Sequence, residues 1–242
     1  MKSSSEIEAP GLNSDCVLVI MAKAPRPGTV KTRLIRSLPL QAVTSFYRCL
    51  LDDTLALAGS LAGVETAIVC PASDVEELAV LAEPGVRVVA QNGEGLAAGL
   101  TFVFAHFDGD QQRRIVAFNS DSPHLPRSVL ETAFETLAAY DLVVGPTYDG
   151  GYYLVGANGA HPSLFIRDGM GTGSALENLL SQARVLELSV GFIDPFYDVD
   201  VADDLIQLAA DLEEFPAKAP RTAFWLKEWG DAITQMRTGT AD

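Results

Sequence analysis

From Cys16 onward, short runs rich in β-branched and aromatic residues alternate with longer amphipathic stretches. The short runs predict strands at 16–21, 66–70, 86–90, 114–119, 141–145, 152–156 and 185–189. Between the first two, Val43, Phe46, Leu50 and Leu57 recur at three-, four- and seven-residue steps, which predicts a helix over 40–58 with one buried stripe. Further helices are expected at 74–82, 95–106, 127–139, 174–183 and 201–213. Pro71, Pro84, Pro123, Pro126 and Pro146 fall at or near the proposed ends, where a fixed φ and a missing N–H do least damage. Strand and helix in alternation imply an α/β class with a mostly parallel sheet covered on both faces. Phe224, Trp225 and Trp229 predict a last helix docked by its aromatics. Residues 1–14 lack periodicity and are expected to form a disordered leader, with 15–242 as one domain.

Charge narrows the class of partner. The 242-residue chain carries 32 acidic and 17 basic residues, a formal net charge of -15. A field of that sign repels polyanions and anionic lipid, so nucleic acid is not an expected partner. Val17 to Met21 is far too short an apolar run to span a bilayer, and the N-terminal residues do not resemble a secretory signal. No membrane span and a cytoplasmic location are therefore expected. Cys16, Cys49 and Cys70 are isolated in apolar surroundings, without zinc or disulfide spacing, and read as buried reduced thiols. His106, His124 and His161 are scattered, and no nucleophilic triad can be built from their spacing.

Against that acidic background, no Asp or Glu occurs from Cys16 to Leu51, a window that holds Lys23, Arg26, Lys31, Arg33, Arg36 and Arg48. The loop after a first strand lies at the carboxyl edge of a doubly wound sheet, where ligands bind. Gly28 permits a turn that other residues would block. Lys23, Gly28, Lys31, Thr32 and Arg33 are thus candidates for a phosphate grip. In an extended segment Lys31 and Arg33 face the same side, one supplying a point charge and the other a planar fork. The plainer alternative is a cluster of solvated surface charges. The segment is neither a Walker motif nor a GxGxxG, so ATPase and dinucleotide dehydrogenase readings lose their main support.

Three acidic features complete the candidate chemistry. Asn119-Ser120-Asp121-Ser122-Pro123 follows the 114–119 strand at its carboxyl end; Asp121 either ligates a metal or starts the turn. Tyr197-Asp198-Val199-Asp200 precedes the 201–213 helix, so one of its two acids is a candidate N-cap. Asp121 and Asp200 together would suit Mg²⁺ or Mn²⁺, which take a few protein oxygens and complete their shell with water and phosphate. Asp149-Gly150-Gly151 sits between two β-rich runs. It is either a plain hairpin turn or a substrate loop in which Asp149 accepts hydrogen bonds from acceptor or sugar hydroxyls.

KAPRPGTVKTRL at 23–34, NSDSPHLP at 119–126, GPTYDGGYYLVG at 145–156 and YDVDVADDL at 197–205 together resemble the bacterial family DUF2064, also called radical-SAM/selenodomain-associated transferase 1. The resemblance runs from Cys16 to about Leu208. It implies the GT-A fold of the nucleotide-diphospho-sugar transferase superfamily, a three-layer α/β/α sandwich with a mixed, mainly parallel sheet. It further implies phosphate binding by Lys23, Lys31 and Arg33, metal binding by Asp121 and Asp200, and a substrate loop at Asp149, Gly150 and Gly151. Catalytic work would then fall to Asp121 and Asp149. Where relatives carry an acidic-Leu-Gly-Glu-Arg helix start, this chain reads Glu94-Gly95-Leu96-Ala97-Ala98-Gly99, and Ser122 stands where many have Cys. The implied activity is metal-dependent transfer from a nucleotide sugar to a small-molecule acceptor. Alternatives are nucleotidyl transfer from a nucleoside triphosphate with release of pyrophosphate, and nucleotide binding without catalysis.

Overall fold

In β1 (Cys16–Met21), Leu18 and Ile20 point to one face, Val17 and Val19 to the other, and all four are fully buried. A strand apolar on both faces belongs at the centre of a covered sheet. The computed structural model, which describes residues 15–108, 113–165 and 174–239, places it there. The expected leader, 1–14, lies outside the described residues. The other strands are β2 (Glu65–Cys70), β3 (Arg87–Ala90), β4 (Arg114–Asn119), β5 (Leu142–Pro146), β6 (Tyr152–Asn158) and β7 (Val190–Phe192). They form one sheet in the order β3-β2-β1-β4-β6-β5-β7. Only β6 runs against its neighbours, because it returns from β5 by a tight turn. The remaining pairs are parallel, so the sheet is mixed and mainly parallel, as expected.

Helices cover both faces. α1 (Leu40–Gly59), α2 (Val75–Leu81) and α4 (Arg127–Thr136) pack on the Leu18 and Ile20 side. α3 (Gly95–Asp108) and α5 (Ala175–Val185) pack on the Val17 and Val19 side. α1 carries two buried stripes where one was expected. Leu51, Leu55 and Ala58 face the sheet, while Val43, Phe46 and Leu50 face α6 (Ala202–Glu214), α7 (Pro220–Glu228) and α8 (Gly230–Gly239).

The predicted last helix is thus two, broken at Trp229. Of its expected docking aromatics, Trp225 packs on α1, 4.8 Å from Phe46 and with Nε1 donating to Ser45 Oγ at 2.9 Å, and Trp229 stacks on Trp225, whereas Phe224 is exposed. Asp53, a fully buried acid on α1, accepts the Arg221 and Thr222 backbone N–H groups at 3.2 and 2.8 Å and so caps α7.

The expected strand at 185–189 is displaced to 190–192. Its apolar residues close α5 instead: the helix runs through Val185, Glu187 adopts a left-handed turn (φ 56°), and Leu186 and Leu188 pack back into the core. Strand pairing begins at Val190, opposite Leu142.

Candidate functional site

Beyond β1 the chain crosses the carboxyl edge of the sheet and is fastened to the next strand–helix connection. Ala22 N–H donates to the Val69 carbonyl at 3.2 Å and Ala24 N–H to Asp74 Oδ2 at 2.9 Å. Arg26 binds Asp74 and Glu77, both at 2.8 Å, and the Ser73 carbonyl at 2.7 Å. Burial works against the Asp74 carboxylate, yet the Ala24 N–H, the Ser73 hydroxyl and Arg26 outweigh it and hold the acid below its ordinary range. Arg26 is therefore the anchor of the loop.

Gly28 is left-handed (φ 79°), as a turn there requires. Lys31 is left-handed as well (φ 46°), a conformation that is rare outside glycine. The loop is consequently not extended at this point. Lys31 turns inward, its side chain 4% exposed, while that of Arg33 is 67% exposed.

Asp121 and Asp200, far apart in sequence, arrive on adjoining loops that are stitched together. Ser122 Oγ donates to the Tyr197 carbonyl at 3.1 Å, and Val199 N–H donates to the Asp121 carbonyl at 3.2 Å. Lys31 Nζ lies 2.8 Å from Asp121 Oδ2 and 2.8 Å from Asp200 Oδ1, and Arg33 is 3.4 Å from Asp200 Oδ2. Burial alone would make the Lys31 ammonium easier to deprotonate, but the two carboxylates reverse this and leave it more basic than usual. Burial also acts on Asp200, where Lys31 and then Arg33 prevail and lower the pKa. At Asp198 burial, and then Asp200 and Asp121, outweigh the pull of Lys31 and push its carboxyl up to about 6. Neither Asp198 nor Asp200 caps α6, contrary to one expectation. Asp204, inside the helix, reaches back to the Asp200 and Val201 N–H groups at 2.8 Å each.

These groups open into a cleft of about 850 Å³. Lys23, Thr32, Lys31 and Arg33 line one side with Asp121 and Asp200; Pro71, Ala72, Gln91, Gly95 and Leu96 line another. Glu94, from the segment that departs from the family pattern, lies on the rim. Lys23 is exposed there, without an ion-pair partner among the described residues. Sequence patterning missed Tyr47. Its place on the buried stripe of α1 signals packing, yet its hydroxyl reaches the cleft, accepts the Lys23 N–H at 3.0 Å and lies 3.0 Å from Ser120 Oγ.

Asp149 is not among the residues that line this cleft. It shapes the β5–β6 turn, where Asp149 Oδ1 accepts from Gly151 N–H at 3.1 Å and from the Thr147 hydroxyl. A Cβ on Gly151 would sit 2.8 Å from Thr147 Oγ1, so the bare glycine accommodates the turn's own side chain. The turn braces the segment that leads to Asp200, since Phe196 N–H donates to the Pro146 carbonyl at 3.0 Å.

Among the described residues no group of three or more acidic, His or Cys side chains forms a cage for a metal ion. The donor set nevertheless suits Mg²⁺ or Mn²⁺. One oxygen each of Asp121 and Asp200 already converges on a single small cation, the Lys31 ammonium, at 2.8 Å. An ion of this kind commonly takes one or two carboxylates and draws its other ligands from water and phosphate.

Residues 54–172, which contain Asp121 and the Asp149 turn, match the model of the family described as "Uncharacterized protein conserved in bacteria (DUF2064)". This segment is of the DUF2064 family. The chain also resembles a solved structure from Desulfovibrio desulfuricans G20, provisionally named a nucleotide-diphospho-sugar transferase, with a TM-score of 0.82 and 27% identity over 92% of this chain and 98% of that one. The 4-diphosphocytidyl-2C-methyl-D-erythritol synthase of Anaerococcus prevotii DSM 20548 shares the fold at a TM-score of 0.56 and 11% identity, covering 82% of this chain and 96% of its own. A CMP:2-keto-3-deoxy-manno-octonic acid synthetase, solved with CTP, does so at 0.50 and 11%, covering 82% and 98%. The search of curated proteins gives no match. No helix among the described residues is long and apolar enough to cross a membrane.

Proposed function

We propose that the chain is a metal-dependent transferase that takes a nucleotide-diphosphate sugar in the 850 Å³ cleft and passes the sugar to a small-molecule acceptor. The observation that carries this reading is the meeting of Lys31, Asp121 and Asp200 at 2.8 Å on the carboxyl edge of the sheet, beside two further cations, Lys23 and Arg33. The likeness to the D. desulfuricans protein supports it.

Asp121 and Asp200 would hold Mg²⁺ or Mn²⁺, which when bound offsets charge on the departing nucleoside diphosphate. Lys23, Lys31 and Arg33 take diphosphate oxygens, with Thr32 at the mouth of the same loop. In the transfer, the bond from the sugar's anomeric carbon to the diphosphate oxygen breaks and its electron pair leaves with the nucleoside diphosphate. A bond to the acceptor oxygen forms and the acceptor loses a proton. The turn at Asp149, Gly150 and Gly151 stands on the same edge, and we assign it to the acceptor side, where it shapes the segment leading to Asp200.

Nucleotidyl transfer is the second reading. The number of cations on the β1 loop and the fold shared with the 4-diphosphocytidyl-2C-methyl-D-erythritol synthase and with the CMP:2-keto-3-deoxy-manno-octonic acid synthetase solved with CTP favour it. Product analysis separates the two. Incubation with UDP- and GDP-sugars and Mn²⁺ should release nucleoside diphosphate; release of pyrophosphate from a nucleoside triphosphate, without the former, would replace the first reading by the second.

A further inference from the structure

Lys31 occupies the position that the proposed metal needs. Its ammonium makes 2.8 Å contacts with one oxygen of Asp121 and one of Asp200, and it is the most enclosed charge in the cleft. Asp198 adds a third, half-buried carboxylate nearby. With all three ionised, the cluster carries three negative charges against one internal positive charge, so the ammonium is its principal counter-ion. No acidic residue lies on the loop itself, from Ala22 to Pro39, to hold the ammonium elsewhere. The backbone at Lys31 is left-handed (φ 46°), a strained conformation for a lysine that the surrounding contacts must maintain. The side chain is a point charge on a flexible four-carbon stem, which can turn to any phosphate oxygen entering the cleft.

We propose that Lys31 is a built-in counter-ion, seated between Asp121 and Asp200 in the free protein and drawn off by the phosphates of the incoming nucleotide, so that divalent-cation binding is conditional on nucleotide. The proposal rests on the metal–nucleotide reading of this cleft and adds an order of events to it. A divalent ion brought to the same pair of carboxylate oxygens would lie within a few ångströms of the ammonium, and like charges that close repel. Nucleotide relieves that conflict by giving the ammonium another partner. Because coupling between two sites is reciprocal, the metal must strengthen nucleotide binding by the same factor.

Calorimetry with Mn²⁺ tests this, using UDP or GDP as the nucleotide probe and correcting for Mn²⁺ held by free nucleotide. Wild-type protein should bind Mn²⁺ about tenfold or more tightly once nucleotide is present. Lys31→Met should bind Mn²⁺ about tenfold or more tightly than wild type when nucleotide is absent, and should lose most of the nucleotide dependence. Equal Mn²⁺ affinity of the wild type with and without nucleotide would overturn the proposal, even if the variant does not fold. So would a Lys31→Met protein that folds but gains no affinity. The underlying reading fails separately: if Lys31→Met with Asp121→Asn binds Mn²⁺ as well as Lys31→Met alone, the ion is not at Asp121.

Discussion

The Tyr47 hydroxyl, buried beneath the cleft, holds together two loops that carry the site, accepting the Lys23 N–H and meeting Ser120 Oγ next to Asp121. Burial, with Asp121 near, pushes its pKa up to about 12, so it remains a neutral hydroxyl. Tyr47→Phe leaves the buried Ser120 hydroxyl and the Lys23 N–H without it. A loss of about 1–2 kcal/mol in urea unfolding is expected, with weakened nucleotide binding. Unchanged nucleotide affinity in a folded Tyr47→Phe protein would show that the hydroxyl serves packing alone. Tyr47 was illegible as a site residue because its spacing on α1 is that of a core position. Lys31 and Arg33 were legible as a pair from the acid-free window, but that Lys31 is enclosed and Arg33 exposed goes with a left-handed backbone at Lys31 that no periodicity reveals.

At the level of elements, six strands and six helices follow from hydrophobic period, since each buries a face that its spacing defines. The seventh strand did not: a short apolar run after a helix serves equally as its closing turn, and only the pairing of Val190 with Leu142 decides. The two acidic loops meet over His124, whose ring packs at a tilt against Phe196 and Tyr197 at 4.7 and 4.5 Å and whose two nitrogens are buried without a hydrogen-bond partner. Burial lowers its pKa from 6.5 to about 4, against a smaller opposing pull from Asp211; Lys218 adds to the lowering. Below about pH 6.5 the unfolded chain takes up a proton that the folded one refuses, so stability is full above that pH and falls on acidification towards pH 4. Between pH 7 and 5 the wild type should lose about 2 kcal/mol more than His124→Phe. Equal losses by thermal or urea unfolding would show that the imidazole is not held neutral.

For the whole molecule, the distribution of charge matters more than its sum. A chain with a net charge of -15 keeps a stretch from Cys16 to Leu51 free of acids and folds it against three aspartates that come from two distant segments. The parallel strands β1 and β4 bring the basic loop and Asp121 together, because their carboxyl ends lie side by side. Asp121 could therefore be placed from its strand, and the basic loop proposed to grip phosphate from its position after β1. That the grip's buried lysine sits between the carboxylates was not legible, since contact across 169 residues depends on the stitching of Val199 to Asp121. Asp149, legible as a turn, stands on the same edge but outside the cleft lining.

The most direct test is calorimetric titration of UDP or GDP, with Mn²⁺ present, into the wild type and Asp121→Asn. Binding by the wild type, weakened about tenfold or more in Asp121→Asn, is the expected result. Equal affinity of the two proteins would contradict the assignment of this cleft to a metal-bound nucleotide.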